Sequence, residues 1–251
     1  MIIKAIKTRK FLPPKDDLWE LLSAVKSLNE NSVVAVTSKV VSIGEGRCIN
    51  VNQIDKDSLI KQEADKYLPR KFVPEELVMY TLKNNMLIAS AGIDESNGKG
   101  YYILWPKYAN KSAKNIWAFL KNKFKLKNLG IIITDSRLVP LRQGVVGYSI
   151  GYFGFKPIKD YRGKLDLFGR ELKMETSNIP DSLASAAVLE MGEGKEAQPI
   201  AIISQFSDIQ FIDKEYKGLG DDSFEIDEKK DVFYPFLSSV KWVKGGSGKK
   251  Q

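Results

Sequence analysis

Apolar residues recur along this chain in two rhythms, and the switches between them mark its elements. Met1 to Lys7 alternates weakly and reads as an edge strand. After Pro13-Pro14, residues Leu18, Leu21, Leu22, Val25 and Leu28 recur at helical spacing behind Asp16-Asp17, with acids at the positive end of the helix. Val33 to Thr37 and Leu129 to Thr134 are short β-branched runs, the mark of buried strands. Ile54 to Tyr67 predicts a helix ended by Pro69, and Met86 to Ala91 a strand that stops at Gly92. Ser112 reads as an N-cap before the stripe Ala113, Ile116, Trp117, Leu120 and Phe124. Val145 to Phe155 has strand character. Pro180 opens a helix whose buried face is Leu183, Ala184, Ala187, Val188 and Met191, with Gly192 as its stop. Pro199 to Ser204 is a last strand, Lys214 to Asp231 a charged loop with some helix, and Gly245 onward a flexible tail without fold content. No internal repeat is visible. Strands and helices alternate irregularly, which predicts a mixed α/β (α+β) architecture over residues 1–244 rather than a regular doubly wound sheet.

Composition narrows the chemistry. The 251 residues include no histidine and one cysteine, Cys48. Ser-His-Asp and Cys-His nucleophile systems are excluded, as are His-ligated zinc and iron. Cys48 reads as a small packed hydrophobe, and a reducing, cytoplasmic setting fits. No apolar run approaches membrane-spanning length, and no signal peptide opens the chain. Net charge is 39 − 31 = +8, and seven lysines without an acid lie between Tyr101 and Gly130. That cluster reads first as a solvated face and second as an attraction for an anion or nucleic acid.

What remains for chemistry is carboxylate, hydroxyl, Lys, Arg, backbone amide and a hard metal ion. Two apolar runs end on aspartate: Ile88-Ala-Ser-Ala-Gly-Ile-Asp94-Glu-Ser-Asn97 and Ile131-Ile-Ile-Thr-Asp135-Ser136. A third segment, Met191-Gly-Glu193-Gly194, follows a helix. Carboxylates freed at strand ends are hard ligands, and flanking glycines let a phosphate reach the backbone; the set suits a divalent metal and a nucleoside triphosphate. Each aspartate alone reads as a turn residue, and Glu193 alone as a solvated loop acid. The chain has no Walker-type phosphate loop. Gly192 to Ala197 matches the dinucleotide pattern in letters but runs from helix to strand, the wrong order. Arg142, Arg162 and Arg170 are candidate clamps for carboxylates or phosphates.

Read in order, these segments resemble the coenzyme F420-0:γ-glutamyl ligase family. The matching stretches are Glu45-Gly-Arg47, Ala91 to Asn97, Ile131 to Ser136, Arg142-Gln-Gly-Val-Val-Gly147, Asp166-Leu-Phe-Gly-Arg-Glu-Leu172 and Met191 to Gly194. The resemblance implies a two-lobed α/β fold, an intertwined homodimer, and a GTP- and divalent-metal-dependent ligase (Mg2+ or Mn2+, with ATP as the other nucleotide) that adds L-glutamate through a γ-linkage and an acyl phosphate. It implies that Asp94 and Asp135 hold one metal, and Ser136 and Glu193 a second. Asn97 would touch the nucleotide, the turn Met191-Gly192-Glu193-Gly194 would follow its phosphates, and Arg9 to Leu12 with Ser38-Lys39 would contact it as well. Asp135 and Arg142 are the expected catalytic residues. The chain departs from the family pattern at Ile43, where a lysine is common, and after Ser136, where it reads Arg-Leu-Val-Pro-Leu141. A folate is the alternative acceptor, and a non-catalytic nucleic-acid-binding protein is the reading from a different class.

Overall fold

The two runs richest in β-branched residues form the centre of the molecule. The computed structural model describes residues 1–206, 209–216 and 224–248. The first part of the chain gives β1 (Ile2–Ile6), α1 (Leu18–Leu22), β2 (Ser32–Thr37), α2 (Ser38–Gly44), β3 (Cys48–Asn50) and α3 (Lys56–Glu63). Then come β4 (Lys66–Leu68), β5 (Tyr80–Lys83), β6 (Met86–Ala89), β7 (Tyr101–Ile103), α4 (Ala109–Phe124), β8 (Leu129–Leu138) and β9 (Val145–Phe153). The chain closes with β10 (Ile158–Asp160), β11 (Thr176–Asn178), α5 (Ile179–Met191), β12 (Ile200–Ser204), α6 (Tyr234–Leu237) and β13 (Val243–Lys244).

The main sheet has the order β1-β12-β2-β8-β9, with β2 and β8 parallel and the other pairs antiparallel. Both faces are covered, so β2 and β8 read as continuous apolar runs rather than alternating ones. Val34, Val36, Ile131 and Ile133 pack with α1 and with Ala113, Ile116 and Leu120 of α4. Val33, Ala35 and Ile132, on the opposite face, pack with Leu183, Ala184, Ala187 and Met191 of α5. A separate apolar cluster of Leu59, Ile60, Ala64, Met79, Ala91, Ile93, Tyr102 and Leu104 joins α3 to a four-stranded sheet, β13-β4-β5-β6, and to the β3–β7 ribbon. The mixed α/β class expected from the pattern is therefore the one found, with apolar clusters on both sides of the main sheet and a third beside α3.

Several elements differ from the pattern, each for a tertiary reason. The helix from Leu18 stops at Leu22, and Val25 and Leu28 are buried in the irregular stretch that follows the turn at Ser23-Ala24. The long helix expected from Ile54 ends at Glu63, and residues 66–68 are claimed instead by pairing with β5 and β13. Ser112 does not cap α4: it lies inside the helix, where its hydroxyl donates to the Glu45 carboxylate and to the Tyr108 carbonyl. The expected free tail at Gly245 is hydrogen-bonded through Gly248, its amides donating to carbonyls of Asp65, Lys61, Ala64 and Gln62 at 2.9 Å each. Residues 249–251, and 217–223 of the charged loop, lie outside the described residues.

Candidate active site

A cleft of about 810 Å³ opens where the parallel strands β2 and β8 end. Thr37 and Thr134 are the last paired residues of that parallel ladder, so Ser38 and Asp135 leave it side by side. The carboxyl ends of parallel strands are where α/β sheets commonly take ligands, because the chain there turns into loops with free polar groups. Three further segments enclose the space: Arg9 to Pro13 after β1, the β6–β7 connection, and the turn from Met191 to Pro199.

The two aspartates arrive from different parts of the fold. Asp94 follows β6 and forms a backbone bridge with Ile103, two hydrogen bonds of 3.0 and 2.8 Å. Its carboxylate pairs with the Lys39 ammonium at 2.6 Å and accepts from the Ser96 amide at 2.7 Å. Burial pushes Asp94 up, but Lys39 and Ser96 outweigh it and the group sits below the ordinary carboxylate range. Asp135 accepts from the Ser136 amide through Oδ1 at 2.8 Å and from the Trp105 indole through Oδ2. Burial pushes its pKa up to about 6, although its two hydrogen bonds oppose the shift, and the Asp94 charge adds to the rise. The Ser136 hydroxyl donates to Glu193 Oε1 at 2.6 Å, and the Asn97 amide donates to the Gly194 carbonyl at 3.1 Å. These two contacts fasten the turn after α5 to both aspartate segments.

That turn needs glycine at 192. Gly192 has φ +80°, and a Cβ there would stand 2.6 Å from the Glu196 carboxyl carbon. Glu196 in turn accepts from the Gly194 amide at 2.8 Å. The turn is thereby drawn tight against the cleft between α5 and β12.

Of the residues singled out in the sequence, Arg9, Leu12, Ser38, Lys39, Asp94, Asn97, Asp135, Ser136, Met191, Gly192, Glu193 and Gly194 all line this one cleft. The Arg9 guanidinium is held by Asp16 at 2.7 Å and Glu20 at 2.8 Å. Arg142 is not brought in; it lies on the exposed turn between β8 and β9, its amide donating to Val139. Arg162 folds back on Asp160 at 2.7 Å, and neither it nor Arg170 lines the cleft. The lysines of α4 are partly engaged: Lys121 lies 4.3 Å from the Trp117 ring centroid, and Lys123 donates to carbonyls of Ser23 and Val25. Sequence reasoning passed over Trp105, Thr134, Lys99 and Lys195, which also line the cleft. Trp105 sits in an apolar run that reads as core, and only the tertiary contact shows its polar edge in use.

Among the described residues no group of three or more Asp, Glu, Cys or His side chains is gathered at metal-binding distance. The donors present are nevertheless of the right kind for a small hard cation. Two carboxylates face one cleft closely enough for one to raise the pKa of the other. Thr134 also lines the cleft, and its buried hydroxyl has no hydrogen-bond partner among the described residues. Magnesium-type ions commonly use one or two carboxylates and complete their shell with water and substrate phosphates, so the residues fit such an ion.

Comparison with known proteins gives a consistent answer. The family model described as F420-0:γ-glutamyl ligase matches residues 6–205. The coenzyme F420:L-glutamate ligase of Methanopyrus kandleri is 34% identical over 215 residues, covering 80% of this chain and 85% of that protein. The proteins of the same name from Archaeoglobus fulgidus and Methanocaldococcus jannaschii are 32% and 33% identical, covering 75% and 74% of this chain and 81% and 80% of theirs.

Proposed function

Since the chain belongs to the F420-0:γ-glutamyl ligase family, we propose that it joins L-glutamate, through its amine, by an amide bond to a carboxylate of an anionic acceptor of the coenzyme F420-0 type, in a nucleotide- and divalent-metal-dependent reaction. The observation that supports this most is the convergence on one cleft of Asp94, Asp135, the Ser136–Glu193 pair and the turn from Met191 to Gly194. A ligase of this kind needs no protein nucleophile and no histidine, which a chain without histidine meets.

Bound Mg2+ or Mn2+, two per site, and GTP (or ATP) would supply charge neutralisation and the phosphoryl group that converts the acceptor carboxylate to an acyl phosphate. In this reading Asp94 and Asp135 would hold one cation, and Ser136 and Glu193 the second. Asn97, Ser38, Lys39 and the backbone of Arg9 to Leu12 border the nucleotide, and the glycines at 192 and 194 let its phosphates approach the chain. The glutamate amine would then attack the activated carbonyl carbon; the C–N bond forms, the acyl C–O bond breaks, and the departing phosphate carries away the proton that the amine loses. Arg142 clamps an anionic substrate group from the hairpin tip. A homodimer supplies the geometry for this, one copy presenting Arg142 to its neighbour's cleft. Leu165, Leu167, Phe168 and Met174 stand exposed on the excursion between β10 and β11, an apolar surface suited to a second copy.

We assign the reaction to the cytoplasm, the reducing setting that a lone cysteine fits. Among the described residues no helix is long and apolar enough to cross a membrane. The test is phosphate release with Mg2+ or Mn2+, GTP or ATP, and L-glutamate, with F420-0 and tetrahydrofolate supplied separately and the products weighed. A glutamate-sized gain in mass on F420-0 is the expected result. A gain on tetrahydrofolate alone would replace the acceptor, and nucleotide-independent, salt-sensitive RNA or DNA binding would replace the reading.

A further inference from the structure

An indole N–H taken out of water usually finds a hydrogen-bond partner. In the half-buried Trp117 and Trp242 that partner is a backbone carbonyl, Leu129 at 2.9 Å and Leu237 at 2.7 Å. Trp105, 2% exposed, donates instead to the Asp135 carboxylate in the cleft. A neutral donor on a carboxylate makes a charge-assisted bond, stronger and more directional than the usual one. An ionised carboxylate has roughly four acceptor sites. Trp105 takes one on Oδ2 and the Ser136 amide one on Oδ1, which fixes the plane of the group and leaves acceptor capacity on both oxygens.

The segment carrying Trp105 also carries the other aspartate's anchor. Asp94 is bridged to Ile103 by two backbone hydrogen bonds, and Trp105 follows two residues later. A single short stretch therefore ties both carboxylates together, Asp94 through its backbone and Asp135 through its side chain. Trp105 is held through its backbone and beside its ring. Arg47 Nε donates to the Trp105 carbonyl at 3.2 Å, and the Lys83 ammonium lies 5.5 Å from the ring centroid. Gly92, at φ +67°, lets the ring edge pass where a Cβ would stand 2.1 Å from it. Arg47 and Lys83 are both held by the buried Glu63, at 3.0 and 2.8 Å.

We propose that Trp105 is a positioning residue for Asp135, its indole N–H setting the orientation in which that carboxylate, held in register with Asp94, meets a divalent cation. The inference rests on the metal-dependent reading above. In this role the indole acts through Asp135, to which it donates.

The test is Mn2+ binding by the purified full chain, read from the loss of the free Mn2+ paramagnetic resonance signal, with Mn2+ alone and with Mn2+ plus GDP. Trp105→Phe keeps a ring and removes the N–H; it should weaken Mn2+ binding about tenfold or more, the usual effect of losing a partner of a metal ligand. Trp117→Phe removes an equivalent N–H away from the cleft and should leave Mn2+ affinity unchanged. Asp135→Asn should abolish the site. If Trp105→Phe binds as the parent does while Asp135→Asn does not, the positioning role is overturned and the metal reading stands. If Asp135→Asn binds as the parent does, the metal assignment falls and takes this inference with it. A chain with Trp19, Trp117 and Trp242 changed to Phe gives a readout that leaves residue 105 intact: Mn2+ should quench the remaining emission strongly. Mn2+ bound without quenching would also overturn the proposal.

Discussion

Single side chains in the cleft do opposite electrostatic jobs. Asp94 is compensated by Lys39, whereas Asp135 is hydrogen-bonded, among the described residues, by neutral donors, the Trp105 indole and the Ser136 amide. Asp135→Asn should leave the melting temperature close to that of the parent and lower turnover at least about 100-fold, since even partners of metal ligands cost 10–100-fold when lost; steady-state phosphate release and thermal melting check both halves. A second residue-scale prediction concerns Asp16. Its bonds from Arg9, and then from the Leu12 and Asp17 amides, outweigh the opposing effect of burial and hold its carboxyl far below the ordinary range. A depressed folded-state pKa means stability that is fully present above the unfolded value, about 3.9 for Asp, and lost as pH falls toward the folded one. Asp16→Asn should therefore melt lower than the parent at pH 7, and the gap should shrink below about pH 4. An unchanging gap in melts across pH would refute this. The two aspartates of the cleft were legible in the sequence because each closes an apolar run. Trp105 was not, because an indole in such a run reads as core until its N–H has a partner.

At the scale of elements, packing overrides periodicity wherever segments are short. β4 contains only Lys66–Leu68, yet it is paired on both sides, which no local pattern predicts. Helix α5 was legible, since Pro180 starts it and Gly192 ends it in both pattern and structure. Its close approach to β9 depends on Gly147, where a Cβ would stand 2.6 Å from the Ala184 carbonyl. Helix α3 contributes Glu63, 2% exposed, to two cations on neighbouring segments. Removing one member of a buried ion cluster leaves uncompensated charge, typically a cost of about 3–5 kcal/mol. Glu63→Gln keeps one hydrogen-bond acceptor and should destabilise by about 3 kcal/mol on that scale. Urea unfolding measures it, and a change below about 1 kcal/mol would show that the cluster behaves like an exposed ion pair.

For the whole molecule, the decisive arrangement is that sheet and smaller cluster share one cleft. Residues from β1's exit, β2, β6, β8 and the α5–β12 turn meet there although they span much of the chain. The homodimer of the proposed function belongs to this scale. Phe168 is 95% exposed beside Leu167 at 97%, more apolar surface than an isolated copy gains from leaving in water. Phe168→Asp should shift the mass measured by light scattering from two chains to one without altering the far-ultraviolet circular dichroism. A parent protein that is already monomeric would remove the dimer from the reading, and with it the role given to Arg142.

Local sequence pattern carried the fold class, the central strands, α5 with its stop, and the carboxylates and glycines that line the cleft. Those features are local: burial on two faces demands a β-branched run, a helix end demands glycine, and a chain without histidine leaves oxygen donors. Tertiary structure alone decided which residues meet. It showed Lys39 on Asp94, Ser136 on Glu193 and Trp105 on Asp135, it withdrew Ser112 from the role of cap, and it drew Gly245 to Gly248 onto α3. The physical reason is that a side chain's hydrogen-bond partner depends on chain segments distant in sequence, and periodicity records only whether a position is buried, not what it is buried against.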